Sequence, residues 1–264
     1  MTYMGSKRKY CKYIVPIIQK YIDEHNITVF VDVFCGGANL TDKINCQKVI
    51  GNDLSPTLIA LHQTAQKDFS KIPTDGSREY WDKAYTEYKK IKSAMDKGEE
   101  YHPEMPLFEI GAIEWYASFS NGGFPRGYAK NTQTRNYYQE GWRNHKRQAE
   151  NPLYKNIDFM QGNYKDILSN LNSIDLSHTL FYCDSPYKGT KPYAINPKFN
   201  HEEYYNWLRE TSKYVPIFIS EQVMPEDFSI LWEKDAKRTI GKDNNFKACE
   251  KLYFIDNRKD IKNG

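Results

Sequence analysis

The 264-residue sequence lacks several features that define common protein classes. It has five cysteines but no C-x-x-C pair, and its six histidines show no metal-ligand spacing with one another or with cysteine. Neither a disulfide framework nor a bound metal is therefore expected. No apolar run is long enough to cross a membrane, and the apolar residues 14–18 are too few and proline-broken for a signal peptide. We expect a cytoplasmic protein that is a monomer or a weak dimer.

Charge is nearly balanced over the whole chain but is unevenly distributed. The formal net charge is +3, yet residues 121–148 contain six cations against the single acid Glu140, a local charge of +5. Aromatic rings and side-chain amides are interleaved with those cations. Cations for phosphates, amides for base edges and rings for stacking favour a nucleic-acid surface; a solvated loop anchored by its aromatic residues is the alternative. The residues expected to contact DNA are Asn121, Arg126, Tyr128, Lys130, Arg135, Asn136 and Arg143.

Strand-like and helix-like segments alternate along most of the chain. Apolar runs rich in β-branched and aromatic residues predict strands at 29–34, 48–52, 158–162, 179–183, 216–220 and 252–255. Amphipathic spacing predicts helices at 8–24, 40–45, 55–66 and 201–213. Such alternation is typical of a largely parallel α/β sheet covered by helices on both faces.

Residues 67–151 differ in character from the segments on either side. They are charged and aromatic, and the apolar residues from Trp81 to Ile91 recur at helical spacing, as expected for a small core of their own rather than a base-contacting stripe. We therefore predict a discontinuous α/β domain formed by residues 1–66 and 152–264, with a mainly helical domain inserted at 67–151.

A glycine pair follows the first predicted strand, in the sequence VFVDVFCGGA at 29–38. Glycines at this position allow another group to approach the backbone closely. The next strand ends at Asp53, about twenty residues after Asp32, the interval at which a Rossmann-like unit places a carboxylate on a ribose. Because the loop lacks the G-x-G-x-x-G pattern, a nucleoside cofactor without a pyrophosphate fits better than a dinucleotide. A simple turn with a capping aspartate is the alternative.

The tetrapeptide Asp184-Ser185-Pro186-Tyr187 follows the strand predicted at 179–183. The Asp184 carboxylate and the Ser185 carbonyl can both accept hydrogen bonds from one exocyclic amino group, while the Tyr187 ring stacks on the base that carries it. This chemistry suits a nucleobase, although ordinary turns use the same residue types.

Another pair of polar residues, Asn163 and Tyr164, follows the strand predicted at 158–162. In α/β sheets the carboxyl edge is the ligand side. Asn163 there either bonds the adenine of a cofactor or closes an Asx turn.

Five short motifs, taken together, resemble Dam-type (D12 class) DNA adenine-N6 methyltransferases of phages and bacteria. In chain order they are YMGSK at 3–7, DVFCGG at 32–37, NDLS at 52–55, DSPY at 184–187 and ISE at 219–221. The flanking sequences YCDSPYKGT at 182–190 and FNHEE at 199–203 are also similar. The family usually has proline where this chain has Ser185, which keeps the backbone carbonyl but loosens the turn.

The resemblance implies a Rossmann-like S-adenosylmethionine-dependent methyltransferase sheet with an inserted, mainly helical target-recognition domain. It implies methyl transfer from S-adenosyl-L-methionine to N6 of an adenine flipped out of double-stranded DNA, in a bacterial or phage-infected cell, with restriction-modification as one possible role. The residues implied as catalytic are Asp184, Ser185, Pro186 and Tyr187. The residues implied to contact the cofactor are Tyr3, Lys7, Asp32, Phe34, Cys35, Gly36, Gly37, Asp53, Asn163, Tyr164 and Asp184. Methylation of cytosine N4 or of RNA, and a silenced DNA-binding homologue, are the alternatives.

Overall fold

The computed structural model describes residues 1–187, 199–236 and 248–258. Seven strands in these ranges form a sheet in the order β3-β2-β1-β4-β5-β7-β6. The strands are β1 (Val29–Asp32), β2 (Lys48–Asp53), β3 (Ile157–Gln161), β4 (Thr179–Cys183), β5 (Ile217–Glu221), β6 (Ser229–Ala236) and β7 (Ala248–Ile255). The α-helices are α1 (Cys11–Glu24), α2 (Pro56–Lys67), α3 (Arg78–Lys97), α4 (Leu107–Tyr116), α5 (Tyr137–Ala149), α6 (Pro152–Lys155), α7 (Ile167–Asn170) and α8 (His201–Thr211).

Five neighbouring strands of the sheet pair in parallel, in the order β3, β2, β1, β4 and β5. Strand β7 is antiparallel to both β5 and β6. Every residue of β1, β4 and β5 is buried, as expected for parallel strands covered on both faces. The chain proceeds from β1 to β2 in one direction along the sheet and from β4 to β5 in the other. The predicted α/β sheet is therefore confirmed, and its topological switch point lies between β1 and β4, where ligands of such sheets bind.

Helices cover the two faces of the sheet with apolar stripes. Ile14, Ile18 and Ile22 of α1 recur every four residues and are buried against one face, while Tyr204 and Leu208 of α8 are buried against the other. Burying side chains of this size stabilises the fold by roughly 1.5–3 kcal/mol each. The two helices thereby cover opposite faces of the sheet.

Helices α3, α4 and α5 occupy much of the predicted insertion. Helices α4 and α5 pack against α2, and α3 packs against α4. A Cβ atom at Gly111 of α4 would lie 2.3 Å from the carbonyl oxygen of Thr57, so the glycine is what allows α4 and α2 to approach so closely. Trp81, Ile91 and Phe124 are buried in the same apolar cluster, which confirms that the stripe predicted from Trp81 to Ile91 is core. No helix in the described ranges is long and apolar enough to cross a bilayer.

One helix and one strand differ from the prediction. The helix predicted at 40–45 is wrong, because only Thr41–Lys43 form a 3-10 turn and the chain is extended again at Ile44. The hydroxyl of Thr41 donates to Asp32 Oδ2 at 2.5 Å, which ties this turn to the end of β1. Strand β6 was not predicted, because its sequence shows no clear alternation of apolar and polar residues. It lies at the edge of the sheet, where Ile230 and Leu231 are exposed.

Candidate active site

A cleft of about 590 Å³ opens at the switch point, a volume within the range of small-molecule sites. Residues from β1, β2, β4, the 3–7 segment and the inserted helices form its walls. All of the residues predicted to be catalytic or to contact a cofactor line it, together with Arg126 of the predicted DNA segment. The sequence motifs, far apart along the chain, thus meet in one place. The KGT part of the flanking sequence at 188–190 lies outside the described residues.

A buried cluster of charged and polar side chains forms one end of the cleft. Lys7 Nζ lies 2.8 Å from Asp184 Oδ1 and 3.4 Å from Glu250 Oε1. The Tyr187 hydroxyl donates to Glu250 Oε1 at 2.6 Å, and Lys7 Nζ lies 4.2 Å from the centroid of the Tyr187 ring. One ammonium therefore bridges two carboxylates while the tyrosine is held by both its hydroxyl and its ring. We call these residues the Lys7–Asp184–Tyr187–Glu250 cluster.

Burial and charge set the protonation of this cluster. Burial, with a smaller contribution from Glu250, raises the pKa of Asp184 to about 6 despite the opposing effect of Lys7. Burial alone would lower the pKa of Lys7, but the two carboxylates outweigh it and raise that pKa above its usual value. At neutral pH Asp184 is thus mostly ionised and Lys7 fully charged. The ion pair uses Oδ1 of Asp184, and no described residue donates a hydrogen bond to its Oδ2.

A second buried carboxylate, Asp32, closes the end of β1 beside this cluster. Its Oδ2 accepts from Thr41, whereas its Oδ1 has no hydrogen-bond partner among the described residues. Burial raises the pKa of Asp32 to about 7. In the described ranges no group of three or more His, Cys, Asp or Glu side chains is placed to hold a metal ion.

The glycine pair after β1 is approached closely by the ring of Tyr3. A Cβ at Gly36 would lie 2.9 Å from Tyr3 Cε1, and one at Gly37 would lie 2.6 Å from Tyr3 Cβ. Gly36 also has a φ of +48°, which favours glycine. The close approach that the sequence predicts at this loop is therefore made by the protein itself, and the Tyr3 ring in turn packs against Trp115 at 4.6 Å between centroids.

Asp53 stands at the end of β2, on the opposite side of the glycine loop. Its Oδ2 accepts from the backbone N–H of Gly36 at 3.1 Å, and its Oδ1 accepts from that of Ser55 at 2.9 Å. Burial raises the pKa of Asp53, and the two N–H groups oppose that rise. Each oxygen retains a second lone pair. Asp53 is thus oriented by the loop while able to accept from a ligand hydroxyl.

Aromatic rings form the rim of the cleft beyond Asp53. The Phe34 ring lies 5.5 Å from that of Tyr164 and 6.2 Å from that of Phe199. Asn163 precedes Tyr164, and its side-chain oxygen accepts from the backbone N–H of Lys165 at 3.1 Å. The Asx turn that the sequence allowed for Asn163 is therefore present, and the rings offer flat apolar surface for a heterocycle.

The residues predicted to contact DNA divide into exposed and internally bonded groups. Arg126, Lys130, Arg135, Asn136 and Arg143 are exposed. The Arg135 guanidinium donates two hydrogen bonds to Glu140, and Asn136 caps α5 through the N–H of Gln139. Asn121 is buried, with its amide donating to the Trp115 carbonyl, and the Tyr128 hydroxyl donates to the Gly76 carbonyl. Arg126, Lys130 and Arg143 have no ion pair with a described residue.

Three residues near the cleft were not predicted from the sequence. Glu250 reaches the cluster from β7, which no motif marks. Glu114 of α4 lines the cleft and accepts from the Thr57 hydroxyl at 2.8 Å, and burial raises its pKa to about 8. Phe119, in the turn that leads to Arg126, has a side chain that is 56% exposed, which is unusual for a large aromatic residue.

Comparisons with known proteins identify the family. The solved structures that resemble the chain include two of the rRNA methyltransferase aviRa from Streptomyces viridochromogenes, each 11% identical, with TM-scores of 0.43 and 0.44. In both cases 96% of this chain and 86% of the other are covered. The comparison with curated proteins finds no match. The family model for the D12 class N6 adenine-specific DNA methyltransferases matches residues 3–215, which is most of the chain, and the protein therefore belongs to that family of enzymes.

Proposed function

We propose that the protein transfers a methyl group from S-adenosyl-L-methionine to N6 of an adenine in double-stranded DNA, with the base turned out of the duplex. The observation that carries this proposal is the Lys7–Asp184–Tyr187–Glu250 cluster at the switch point. It offers a carboxylate, a backbone carbonyl and an aromatic ring within one turn, which are the groups needed to hold a planar base by its amino group. N6 of adenine is paired and stacked in a duplex, so the base must leave the stack to reach such a cleft.

The cleft suits S-adenosylmethionine chemically. Asp32 Oδ1 has no hydrogen-bond partner among the described residues, and Asp184 stands beside it as a second buried carboxylate. A ligand with an ammonium and a sulfonium supplies both donors and positive charge to such a site. Asp53 can accept from ribose hydroxyls, and Phe34 and Tyr164 border the space that a purine requires. Tyr3, Lys7, Cys35, Gly36, Gly37 and Asn163 complete the wall. The cofactor supplies an activated methyl group on sulfur.

The protein's own residues hold the acceptor nitrogen in place. Lys7 favours the ionised form of Asp184, so its Oδ2 can accept one amino hydrogen while the Ser185 carbonyl accepts the other. Pro186 fixes the turn between them and Tyr187 provides the stacking ring. With both hydrogens held, the nitrogen lone pair has one direction left, and orientation of this kind supplies a large part of the rate.

Exposed cations on the inserted helices supply the surface for the DNA backbone. Arg126 lines the cleft, while Lys130 and Arg143 are exposed farther along the same segment. Arg135 and Asn136 flank them at the start of α5, and Asn121 and Tyr128 hold the turn that presents Arg126. Phosphate contacts of this kind fix the position of the protein on the duplex, whereas contacts to base edges read the sequence.

A direct experiment tests the proposal. The protein is incubated with cofactor carrying a labelled methyl group and with duplexes that contain or lack adenine, and the DNA is then digested to nucleosides. We expect label in N6-methyladenine only. Asp184→Asn should abolish it, whereas Asp158→Asn, an exposed position on β3, should not. Label in N4-methylcytosine, or in RNA but not in DNA, would replace this function, and cofactor-independent DNA binding without label would indicate a silenced homologue.

A further inference from the structure

Two buried histidines and two buried tyrosines form a continuous chain of hydrogen bonds behind the glycine loop. His62 Nε2 lies 2.8 Å from the Gly36 carbonyl oxygen, and His62 Nδ1 lies 2.8 Å from the Tyr154 hydroxyl. That hydroxyl lies 2.8 Å from His145 Nε2, and His145 Nδ1 lies 2.5 Å from the Tyr116 hydroxyl. Each of these four side chains is fully buried. They come from α2, α6, α5 and α4, so the chain joins the inserted helices to the loop after β1.

One carbonyl fixes the position of every proton in this chain. The Gly36 oxygen can only accept, so His62 carries its proton on Nε2. Burial lowers the pKa of His62 to about 3 and that of His145 well below its usual value, so both rings are neutral and each has one acceptor nitrogen. Tyr154 must then donate to His62 and accept from His145, and Tyr116 must donate to His145. Every donor in the series has an acceptor, and reversing one bond would leave a buried group unpaired.

Gly36 connects this chain to the cofactor wall. Its carbonyl is held by His62, while its N–H donates to Asp53 Oδ2. The two peptide planes on either side of its Cα are therefore fixed, which holds the positive φ of the loop. Stacking of His62 on Phe159, with ring centroids 4.5 Å apart, keeps the imidazole in this plane. A change in His62 would thus be transmitted to Asp53 through a single residue.

We propose that His62 and Tyr154 are positioning residues of the cofactor site, which orient Asp53 through Gly36. The inference rests on the proposed use of Asp53 in binding S-adenosylmethionine. Neither residue lines the cleft, so they act without touching the ligand. Removing the Tyr154 hydroxyl should free the His62 ring, loosen the Gly36 peptides and leave Asp53 in several orientations.

Calorimetric affinities for S-adenosylmethionine and for its demethylated product test the inference. Tyr154→Phe should weaken binding about tenfold, the effect of one well-placed hydrogen bond, and leave kcat at saturating cofactor within about twofold. Tyr138→Phe is the matched control, because it removes another buried hydroxyl, which donates to the Pro73 carbonyl and does not belong to the chain. It should leave the affinity unchanged.

A double variant separates positioning from general loss of structure. If Tyr154 acts through Asp53, then Tyr154→Phe combined with Asp53→Ala should bind no more weakly than Asp53→Ala alone. His62→Gln, which keeps an N–H donor, should bind more tightly than His62→Phe. If Tyr154→Phe is unfolded at the assay temperature, Tyr116→Phe supplies the same comparison, because Tyr116 is the last member of the hydrogen-bond series that begins at Gly36.

The outcomes distinguish the inference from the function on which it rests. Additive losses in the double variant, or equal losses in Tyr154→Phe and Tyr138→Phe, would overturn the positioning role while leaving the methyltransferase proposal intact. Cofactor affinity that is unchanged in Asp53→Ala would remove Asp53 from the site, and both proposals about it would fail together. Wild-type protein that binds no S-adenosylmethionine would refute the proposed function itself.

Discussion

Replacing Lys7 by methionine should move the acid limb of the methylation pH profile upward. In the proposed mechanism, methyl transfer requires ionised Asp184, whose pKa of about 6 is about two units above its unfolded value of 3.8. The difference corresponds to a cost of about 3 kcal/mol for the buried carboxylate at neutral pH. Lys7 limits that cost from 2.8 Å away, while Glu250 increases it. Without the ammonium, two carboxylates share the site and the pKa of Asp184 must rise.

The size of the shift follows from the contact distance. An opposite charge in direct contact lowers a carboxyl pKa by about 1–3 units, so the midpoint of the acid limb in Lys7→Met should lie between about 7 and 9. With a shift of two units, the single-turnover rate at pH 7 falls about tenfold and recovers as the pH approaches 9. Recovery at alkaline pH distinguishes a change in pKa from the loss of a cofactor contact, because a lost contact does not return when the pH is raised.

The assay is single-turnover methylation at saturating cofactor and DNA between pH 5 and pH 9. Lys20→Met, which removes an exposed lysine far from the cluster, is the matched control and should keep the wild-type profile. Stability offers an independent check. A carboxyl with a raised folded pKa destabilises the protein above that pKa and ceases to do so as the pH falls towards 3.8, so Lys7→Met should lose more melting temperature at pH 8 than at pH 5. A folded variant with an unshifted acid limb would refute the reasoning.

Three further perturbations follow from the same geometry. Glu250→Gln removes the charge that raises the pKa of Asp184, so the acid limb of the pH profile should move below about 6, opposite to Lys7→Met; an upward shift would contradict the assigned charges. Gly37→Ala places a Cβ 2.6 Å from that of Tyr3 and should lower the free energy of unfolding by about 1–3 kcal/mol in urea titrations, with unchanged stability indicating that the loop is not packed by Tyr3. Arg126→Gln and Arg143→Gln should each flatten the salt dependence of DNA binding by up to about one unit of slope, whereas Arg78→Gln, which removes an exposed cation already paired with Asp82, should not.

The parts of the site that can be predicted are those in which a polar residue directly follows, or ends, an apolar strand in the sequence. Asp184 follows β4 directly and Asp53 ends β2, so a pattern of apolar run followed by acid locates both at the carboxyl edge. The family resemblance added Tyr3 and Lys7, whose roles no local pattern reveals. Glu250 could not be found in this way, because it enters the cluster from an antiparallel strand 63 positions beyond Tyr187. Its neighbours in the sequence carry no signal of a site.

Tertiary contacts determine two further features that the local sequence does not reveal: the packing of the glycine loop and the pairing of the buried histidines. The glycine pair was interpreted as space for a ligand, and the space is used at least in part by Tyr3, from a segment more than thirty positions earlier. The histidines show no metal-ligand spacing in the sequence, which gives no sign of any joint role. Nevertheless His62 and His145, which are 83 positions apart, both bond the Tyr154 hydroxyl: neutral His145 donates to it and neutral His62 accepts from it. This pairing depends on how α2, α5 and α6 pack. Sequence spacing detects side chains that act together on one helix or strand, and it misses groups that only the packing of several elements brings together.

The segment from Tyr3 to Lys7 explains how parts so distant in sequence form one site. Tyr3 packs on the glycine loop after β1, and the backbone N–H of Met4 donates to the Asn121 carbonyl of the predicted insertion. Lys7 joins the turn at Asp184 to Glu250 of β7. Three residues within one five-residue segment therefore contact the proposed cofactor wall, the proposed DNA-facing turn and the acidic pair. Because a segment of this length has little freedom once both ends are fixed, we expect a movement of the Asn121 turn on DNA binding to displace Lys7, whose ammonium favours the ionised form of Asp184.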